Sequence, residues 1–442
     1  MMISDAAKHL CEAVTFRTIS HADDTLTDYH EYKGFLEFLE KTYKNVHRHT
    51  KRVMIGEYSP VYHLEAKNAK YPPILLLGHY DVVPVEESTI KDWTVPPFSG
   101  EIRDGYIYGR GTLDDKNQIV SIMEALEEIL EEGYEGERDI YIAFGFDEEI
   151  GGMNGAKQMA AYFRERGVTF DLVLDEGGAV VDGVVEGLET PVALVGVAEK
   201  GSSMIKVTAK GDGGHSSMPG RTSAITVLSE AVLSLSENPM KPRLTAPVKE
   251  MLKGMAPYMG RKGILLKSID RSFPLLARVL SKSTTMNSLI RTTIAATMMN
   301  AGTAPNVMPQ EASVTFSARI LPGDTFEDVI AHMKRVNGHL PLEYETLVKE
   351  EASAVSPHDS DAFRKLEKNI HKVFPDVKVL PYLMAGGTDA RKYESLSENI
   401  LRFSCIRMNN EDLDRIHSTN ERIHTDNLHA MIDFYKNTLK GL

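Results

Sequence analysis

The segment Ile74-Leu75-Leu76-Leu77-Gly78-His79-Tyr80-Asp81 follows the turn-forming pair Pro72-Pro73. Its four consecutive apolar residues are typical of a strand that is buried on both faces of a sheet. A histidine and an aspartate come within four residues of the apolar run. Because open α/β sheets place their functional groups at the carboxyl ends of their strands, we expect His79 and Asp81 to lie in a functional site.

Short apolar strands and amphipathic helices alternate around this segment. Ile140–Phe144 and Leu172–Leu174 are two further candidates for buried strands. Apolar residues recur at helical spacing between Ile119 and Leu130, and Gly133 is a stop signal for that helix. The alternation predicts an α/β fold with a mixed, mostly parallel sheet flanked by helices.

The pattern changes after about Pro191 and returns to helix–strand alternation from Ser356. The intervening segment predicts a small α+β unit inserted into the first domain. Its expected elements are strands at Met204–Ala209, Arg291–Met298 and Ala312–Ile320, a helix near Thr222–Leu235, and a helix over Asp324–Val336 with Asp324 as N-cap. We therefore predict a catalytic domain of residues 1–195 and 351–442 and an inserted domain of residues 196–350.

Acidic residues follow four successive predicted strands, the second of which is Tyr106–Tyr108. Carboxylates that converge in this way coordinate cations, and an imidazole with carboxylates suits zinc, cobalt or manganese. A two-metal site needs a bridging carboxylate and ions about 3.5–4 Å apart. Adjacent glutamates then divide the work, one as a metal ligand and the other as general base. The residues at the four strand ends are His79 with Asp81, Asp114 with Asp115, Glu148 with Glu149, and Asp175 with Glu176.

Composition excludes several classes of protein. The 442 residues include 63 acidic and 50 basic residues, for a net charge of −13, and no long Lys/Arg run. A nucleic-acid partner is therefore not expected. The two cysteines, Cys11 and Cys405, cannot form a disulfide framework. No secretory leader and no apolar run near the roughly 20 residues that span a bilayer are recognisable, so we expect a cytoplasmic protein without a membrane partner.

Five ordered motifs span nearly the whole chain: Gly78–Pro84, Gly109–Lys116, Asp147–Gly152, Gly213–Pro219 and Ile416–Glu421. They resemble the motifs of the M20 family of metallopeptidases and aminoacylases. Segments around Asp175, Arg110 and Leu289 look most like the branch of carboxypeptidase S and the N-fatty-acyl-amino-acid hydrolases.

The resemblance implies two divalent metal ions, with zinc expected and cobalt or manganese as alternatives. It implies that His79 binds one ion, that Asp114 bridges both, and that Glu149 and His417 hold the other. The fifth ligand is Asp175 or Glu176, and alternation along a strand lets only one of them point inward. The resemblance also implies that Asp81 orients His79, that Glu148 is the general base, and that the Asp114–Asp115 peptide is cis.

The inserted domain is implied to be a dimerisation and lid domain. His215 would reach the site of a partner subunit and stabilise the oxyanion of the tetrahedral intermediate, which requires a homodimer formed through this domain. Asn306 and Arg319 resemble substrate-binding residues, and an arginine can hold a free carboxylate with two parallel hydrogen bonds. Gly386, Gly387 and Thr388 resemble the loop that holds the same carboxylate from the catalytic domain.

The function that follows is zinc-dependent hydrolysis of an amide in a small substrate with a free α-carboxylate, with Glu148 taking a proton from a water that the ions activate. The substrate is a dipeptide or short peptide, or else an N-acyl amino acid. Met251, Met255 and Met259 either line an acyl pocket or form ordinary helix core, and core is the expectation. The alternative function is a catalytically silent metal-binding homologue that acts in binding or assembly.

Overall fold

A computed structural model describes residues 3–185 and 187–441, with the side chain of Lys262 outside the description. Among these residues, no helix combines the length and the apolar composition that crossing a bilayer requires. The helices are α1 Asp5–Thr15, α2 Tyr29–Thr42, α3 Lys44–His49, α4 Lys116–Glu131, α5 Ala156–Glu165, α6 Ala224–Glu237, α7 Ala246–Met255, α8 Gly263–Lys267, α9 Ile269–Leu280, α10 Thr284–Leu289, α11 Phe326–Val336, α12 Asp361–Val373, α13 Asn410–Leu413 and α14 Thr425–Gly441.

The strands form one large mixed sheet and three smaller ones. The strands are β1 Lys51–Ile55, β2 Ser59–Leu64, β3 Ile74–His79, β4 Ile102–Arg103, β5 Tyr106–Tyr108, β6 Ile140–Gly145, β7 Leu172–Asp175, β8 Val180–Val181, β9 Val192–Glu199, β10 Gly201–Lys210, β11 Gly214–His215, β12 Thr293–Ala301, β13 Val307–Met308, β14 Glu311–Ile320, β15 Leu342–Glu350, β16 Lys378–Met384, β17 Ile400–Arg402, β18 Arg407–Met408 and β19 Arg422–His424.

The large sheet has the order β1-β2-β6-β3-β7-β17-β9-β8-β18, with β16 also paired to β9. Strands β6, β3 and β7 are neighbours and run parallel, so their carboxyl ends meet at one edge. All six residues of β3 are buried, which confirms the expectation of a strand covered on both faces. The predicted α/β fold with a mixed sheet flanked by helices is confirmed.

Helix α4 covers this sheet, and its apolar residues are fully buried between Ile119 and Ile129. Gly133 has a φ of +80°, the left-handed conformation that favours glycine just after a helix. The core on this face also contains α1, α12 and α14. Apolar periodicity therefore placed α4 correctly, because one stripe of the helix is covered by β3 and another by α14.

The expectation that the second of the four strand ends lies at the edge of the large sheet is wrong. Tyr106–Tyr108 forms β5, but β5 belongs to a separate three-stranded sheet of order β19-β5-β4. Its three residues pair antiparallel with Arg422–His424 and have no partner in the large sheet among the described strands. Asp114 therefore reaches the edge of the large sheet on a loop between β5 and α4.

A four-stranded antiparallel sheet of order β12-β14-β10-β15 occupies part of residues 201–350. Burial alternates along β10 and β14, and their inner faces pack under α6 and α11. Asp324 does not cap α11: the hydroxyl of Thr325 accepts from the amide of Asp328, while Asp324 accepts hydrogen bonds from Arg243 and Thr292. The predicted N-cap was therefore wrong by one residue, because the side chain of Asp324 is engaged by a distant arginine.

Helix α7 packs against β16 of the large sheet, and α8 and α9 belong to the same apolar cluster rather than to the cluster of the four-stranded sheet. Met251 and Met255 are each 1% exposed and belong to one apolar cluster with Leu380 and Leu383 of β16. Met259 is partly buried against the same cluster. The methionine-rich segment is therefore helix core, as expected from the sequence.

Candidate metal centre and active site

The first group of the candidate site stands at the end of β3. His79 is 1% exposed, and its Nε2 lies 2.9 Å from Oδ1 of Asp114. Its Nδ1 lies 3.0 Å from the carbonyl oxygen of Asp81 and 3.3 Å from Oδ1 of the same residue. Asp81 thus fixes the ring of His79 through Nδ1 and leaves Nε2 directed towards Asp114.

A buried glutamate, Glu421, accepts hydrogen bonds from the loop that carries Asp114. Both the Gly111 and the Leu113 amides donate to Oε1 of Glu421, at 2.9 and 2.8 Å. Arg110 pairs with the other oxygen of Glu421 in the interior. The Asp114–Asp115 peptide is cis, as the resemblance implies.

Asp114 faces a second histidine on its other oxygen. Oδ2 of Asp114 lies 2.9 Å from Nε2 of His417, which also lies 3.1 Å from Oε1 of Glu149. The two carboxylates raise the pKa of His417 to about 10, chiefly through the hydrogen bond with Asp114. His417 has a φ of +60°, so its loop turns sharply at this residue.

Glu148 and Glu149 begin a 3₁₀ turn that follows β6. Their amides donate to Oδ1 and Oδ2 of Asp81, each at 3.1 Å, so one aspartate positions both His79 and this turn. Asp147 accepts from two amides further along the same turn, at 2.7 and 2.8 Å. Burial raises the pKa of Glu148 well above the ordinary value of a glutamate, and it also raises that of Glu149.

Asp175 and Glu176 point in opposite directions at the end of β7. Oδ2 of Asp175 accepts from the amide of Ala390 at 2.8 Å, whereas Glu176 offers an oxygen to the group formed with His79 and Asp114. Burial raises the pKa of Glu176 well above its ordinary value. The alternation of a strand therefore separates the two acids, and the geometry favours Glu176 as the inward one.

Two sets of three potential ligands share Asp114. The first is His79, Asp114 and Glu176, and the second is Asp114, Glu149 and His417; within each set the donor atoms lie within 4.8 Å of one another. Oε1 of Glu149 is buried and makes no hydrogen bond of acceptable geometry, although His417 is close. Carboxylates and imidazoles crowded together in this way fit divalent cations of the zinc type, which would balance the excess negative charge.

The loop Gly386-Gly387-Thr388 lies beside β9. Oγ1 of Thr388 donates to Oε1 of Glu199 at 3.0 Å, and the same oxygen accepts from Nε of Arg402 at 2.6 Å. Asp389 is buried against Gly145 and Gly152, where a Cβ would lie 2.5 and 2.1 Å from its carboxylate oxygens. Glycine is therefore required at both positions, and the loop is tied to the strand end that carries Glu148.

Three of the expected functional residues stand outside this group. His215 is exposed on the β11–β13 hairpin, and its Nδ1 lies 2.8 Å from the hydroxyl of Ser217. Asn306 is also exposed, and it lies next to His215 because its carbonyl accepts from the amide of Ser216 at 3.1 Å. Arg319 is exposed on β14. Among the described contacts of these three side chains, none joins them to the two ligand sets.

Sequence reasoning missed several residues that support the site. Ser20 donates to Oδ2 of Asp81 at 2.7 Å from the loop after α1, 61 positions away along the chain. Glu199 accepts from Thr388, and Arg402 of a different strand donates to the same oxygen of Glu199; both residues are at most 1% exposed. For the buried pair of Glu199 and Arg402, the sequence offered one signal: the charged Arg402 ends the otherwise apolar strand Ile400–Arg402.

The sequence and the fold of this chain are similar to those of known proteins. The model of Peptidase family M20/M25/M40 matches residues 75–441. A probable carboxypeptidase S-like 2 of Dictyostelium discoideum is 40% identical over 99% of this chain and 85% of its own length. The N-fatty-acyl-amino acid synthase/hydrolase PM20D1 of Xenopus tropicalis is 37% identical over 91% of this chain and 79% of its own. The crystal structure of the M20 family metallo-carboxypeptidase Sso-CP2 from Sulfolobus solfataricus aligns with a TM-score of 0.73, 18% identity and 99% coverage of both chains.

Proposed function

This chain belongs to peptidase family M20/M25/M40, and on that premise we propose that it hydrolyses the amide bond of a small substrate with a free α-carboxylate. That it is an M20-type hydrolase follows from the family; the bond, the substrate and the residue roles are our proposal. The observation that carries the proposal is the convergence of two ligand sets on Asp114, with the partly buried Glu148 beside them.

We assign one divalent ion to His79, Asp114 and Glu176 and the other to Asp114, Glu149 and His417. Zinc suits this mixture of imidazole and carboxylate, and cobalt or manganese are the alternatives. When bound, the ions supply Lewis acidity that polarises the scissile carbonyl and lowers the pKa of a water towards neutrality.

Glu148 is the proposed general base. It takes a proton from the attacking water and returns a proton to the leaving amine. Burial raises its pKa, which suits a group that must hold a proton in mid-reaction and then release it. Asp81 positions this base through the amide of Glu148 and orients His79 at the same time.

The free carboxylate of the substrate would be held from two sides. Arg319 and Asn306 would approach from the four-stranded sheet and its hairpin, while Gly386, Gly387 and Thr388 would approach from the large sheet. The anchoring of Thr388 on Glu199 supports this assignment, because a bound loop presents its amides without a large ordering cost. This arrangement requires the two parts of the chain to approach each other when substrate binds.

His215 would stabilise the oxyanion from the partner subunit of a homodimer. Its exposure on a hairpin and its lack of a described contact with the ligand sets support a role between subunits. We would mix a Glu148→Ala chain with a His215→Ala chain. One of the two sites in the heterodimer would then hold both groups intact, and activity should return. Verified heterodimers without activity would refute the role in trans.

Two substrate classes compete, and the relatives bear names of both kinds: a carboxypeptidase S-like protein and an N-fatty-acyl-amino acid synthase/hydrolase. We would measure release of free amino acid from short- and long-chain N-acyl amino acids and from dipeptides. Preference for acyl substrates would make the protein an aminoacylase-type hydrolase, and preference for dipeptides a dipeptidase or carboxypeptidase. No turnover of any substrate would favour a catalytically silent homologue. The cytoplasmic location stays a prediction.

A further inference from the structure

Helices α8 and α9 present apolar side chains to solvent. Ile264 and Leu265 of α8 are 66% and 47% exposed, and Leu275 and Val279 of α9 are 58% and 60% exposed. Leu275 and Val279 are four residues apart and so share one face of α9. The hydroxyl of Ser272 donates to the carbonyl of Leu265 at 2.8 Å, which ties the two helices together. We call these four exposed residues, which lie on two adjoining helices, the α8–α9 face.

Cations surround the α8–α9 face. Residues 261–282 include six basic residues and a single acidic one, and no Asp or Glu occurs between Arg271 and Gln310. The acidic residue, Asp270, already pairs with Lys249 and Lys253 of α7 at 2.5 and 3.0 Å. Exposed cations flank the four apolar residues along the chain; they are Lys267, Arg271, Arg278 and Lys282. No carboxylate in residues 3–185 or 187–441 lies within ion-pair distance of them.

This local charge is opposite to that of the whole chain, whose net charge is −13. Apolar residues flanked by Lys and Arg on one face are the pattern of helices that lie in the plane of a membrane interface.

The inner side of the same helices is firmly anchored. Leu266, Ile269 and Leu276 are at most 7% exposed and belong to the cluster that contains Leu380 and Leu383 of β16. Leu413, four residues before His417, packs partly against this cluster. The outward side chains of α8 and α9 are therefore exposed although the inner sides of these helices are well packed. The α8–α9 face is attached to the large sheet that carries the candidate site.

We propose that the α8–α9 face docks on an anionic lipid bilayer, with the four apolar side chains inserted at the interface and the surrounding cations against the lipid headgroups. Each inserted apolar side chain removes hydrocarbon surface from water, and each cation gains from the negative surface potential. The inference goes beyond the proposed hydrolysis and does not depend on it.

The test is co-flotation of the purified full chain with vesicles. We would compare phosphatidylcholine vesicles with vesicles of equal parts phosphatidylcholine and phosphatidylserine, at low and high salt. Binding is expected to the anionic vesicles alone and to weaken with salt. Leu275→Ser with Val279→Ser, and separately Arg271→Gln with Arg278→Gln, should each lower binding at least about tenfold.

A matched control pair lies outside the α8–α9 face, near the N-terminus of the chain. Leu26→Ser with Val53→Ser removes one exposed leucine and one exposed valine, whose exposures are 64% and 38%, and should leave binding unchanged. All four altered residues in the two apolar pairs are exposed, so thermal unfolding should match that of the wild type and would reveal a folding defect.

Three results would overturn the proposal. The first is that the wild type does not float with anionic vesicles, in which case the face would be left to an acidic protein partner. The second is an equal loss of binding in the control pair. The third is that Leu275→Ser with Val279→Ser converts an oligomer into a monomer, which would make the face an interface between copies of this chain. Because no turnover is measured, failure here and failure of the proposed hydrolysis are distinguishable.

Discussion

Replacing Glu199 by glutamine is expected to destabilise the protein by about 3 kcal/mol. Glu199 is fully buried and its Oε1 accepts from Nε of Arg402 at 2.6 Å, while Arg391 lies 3.9 Å from its Oε2. Without the carboxylate, the buried guanidinium of Arg402 loses its charged partner, and its other described hydrogen bond goes to the carbonyl of Ile400. Loss of one partner from a buried ion pair costs about 3–5 kcal/mol, and the amide oxygen that glutamine retains places this variant at the lower end.

The same substitution should also weaken binding of substrate. Thr388 donates to the oxygen of Glu199 that holds Arg402, so a neutral acceptor replaces a charged one under the Gly386–Thr388 loop. Hydrogen bonds to charged groups are stronger than neutral ones by about 1 kcal/mol, which predicts a KM about fivefold higher with kcat less affected.

Urea unfolding and steady-state kinetics would measure both effects. Glu350→Gln is the matched control, because Glu350 is 36% exposed and pairs with Arg391 at 3.2 Å, so its loss should cost at most about 1 kcal/mol. Replacing both partners, as in Glu199→Leu with Arg402→Met, should recover part of the stability lost by Glu199→Gln. A Glu199→Gln protein as stable as Glu350→Gln would refute the reasoning.

Three further outcomes are expected. Glu176→Gln should lower the number of zinc ions bound per chain by one in equilibrium dialysis, whereas Asp175→Asn, whose carboxylate accepts from the amide of Ala390, should leave it unchanged; the reverse pattern would exchange their roles. Burial raises the pKa of Cys11 to about 11 and that of Cys405 well above its ordinary value. A disulfide reagent at neutral pH should therefore react slowly with the native protein, and it should react fast with two thiols per chain in denaturant. Burial lowers the pKa of Lys200 from 10.5 to about 8. Between pH 8 and pH 10.5 the unfolded chain therefore binds more protons than the folded one, and the free energy of unfolding should rise with pH by about 3 kcal/mol. The Lys200→Met variant should lack this rise.

The large sheet and its edge were accessible from the sequence because the pattern there is local. An apolar run in β3, β6 or β7 is too short for a helix and is buried on both sides, so the residues just after it must stand at one edge. The same local logic predicted that only one of Asp175 and Glu176 points inward, since neighbouring residues of a strand point to opposite sides.

The remaining features depend on contacts between distant segments. Tyr106–Tyr108 has the composition of a strand, but only its pairing with Arg422–His424 shows that it lies outside the large sheet. The support of Asp81 by Ser20 and of Thr388 by Glu199 joins residues 61 and 189 positions apart, for which the local sequence carries no signal. The packing of α7 on β16 rather than on the four-stranded sheet is of the same kind.

The central claim is that Glu148 drives hydrolysis beside two cations that other residues hold. The most direct test compares wild type and Glu148→Gln in one experiment, with bound zinc counted and amino-acid release measured on the same samples. Both proteins should bind two ions per chain, and the variant should lose at least about 100-fold in kcat, the scale of general base catalysis. Equal turnover by the two proteins at equal zinc content would contradict the account.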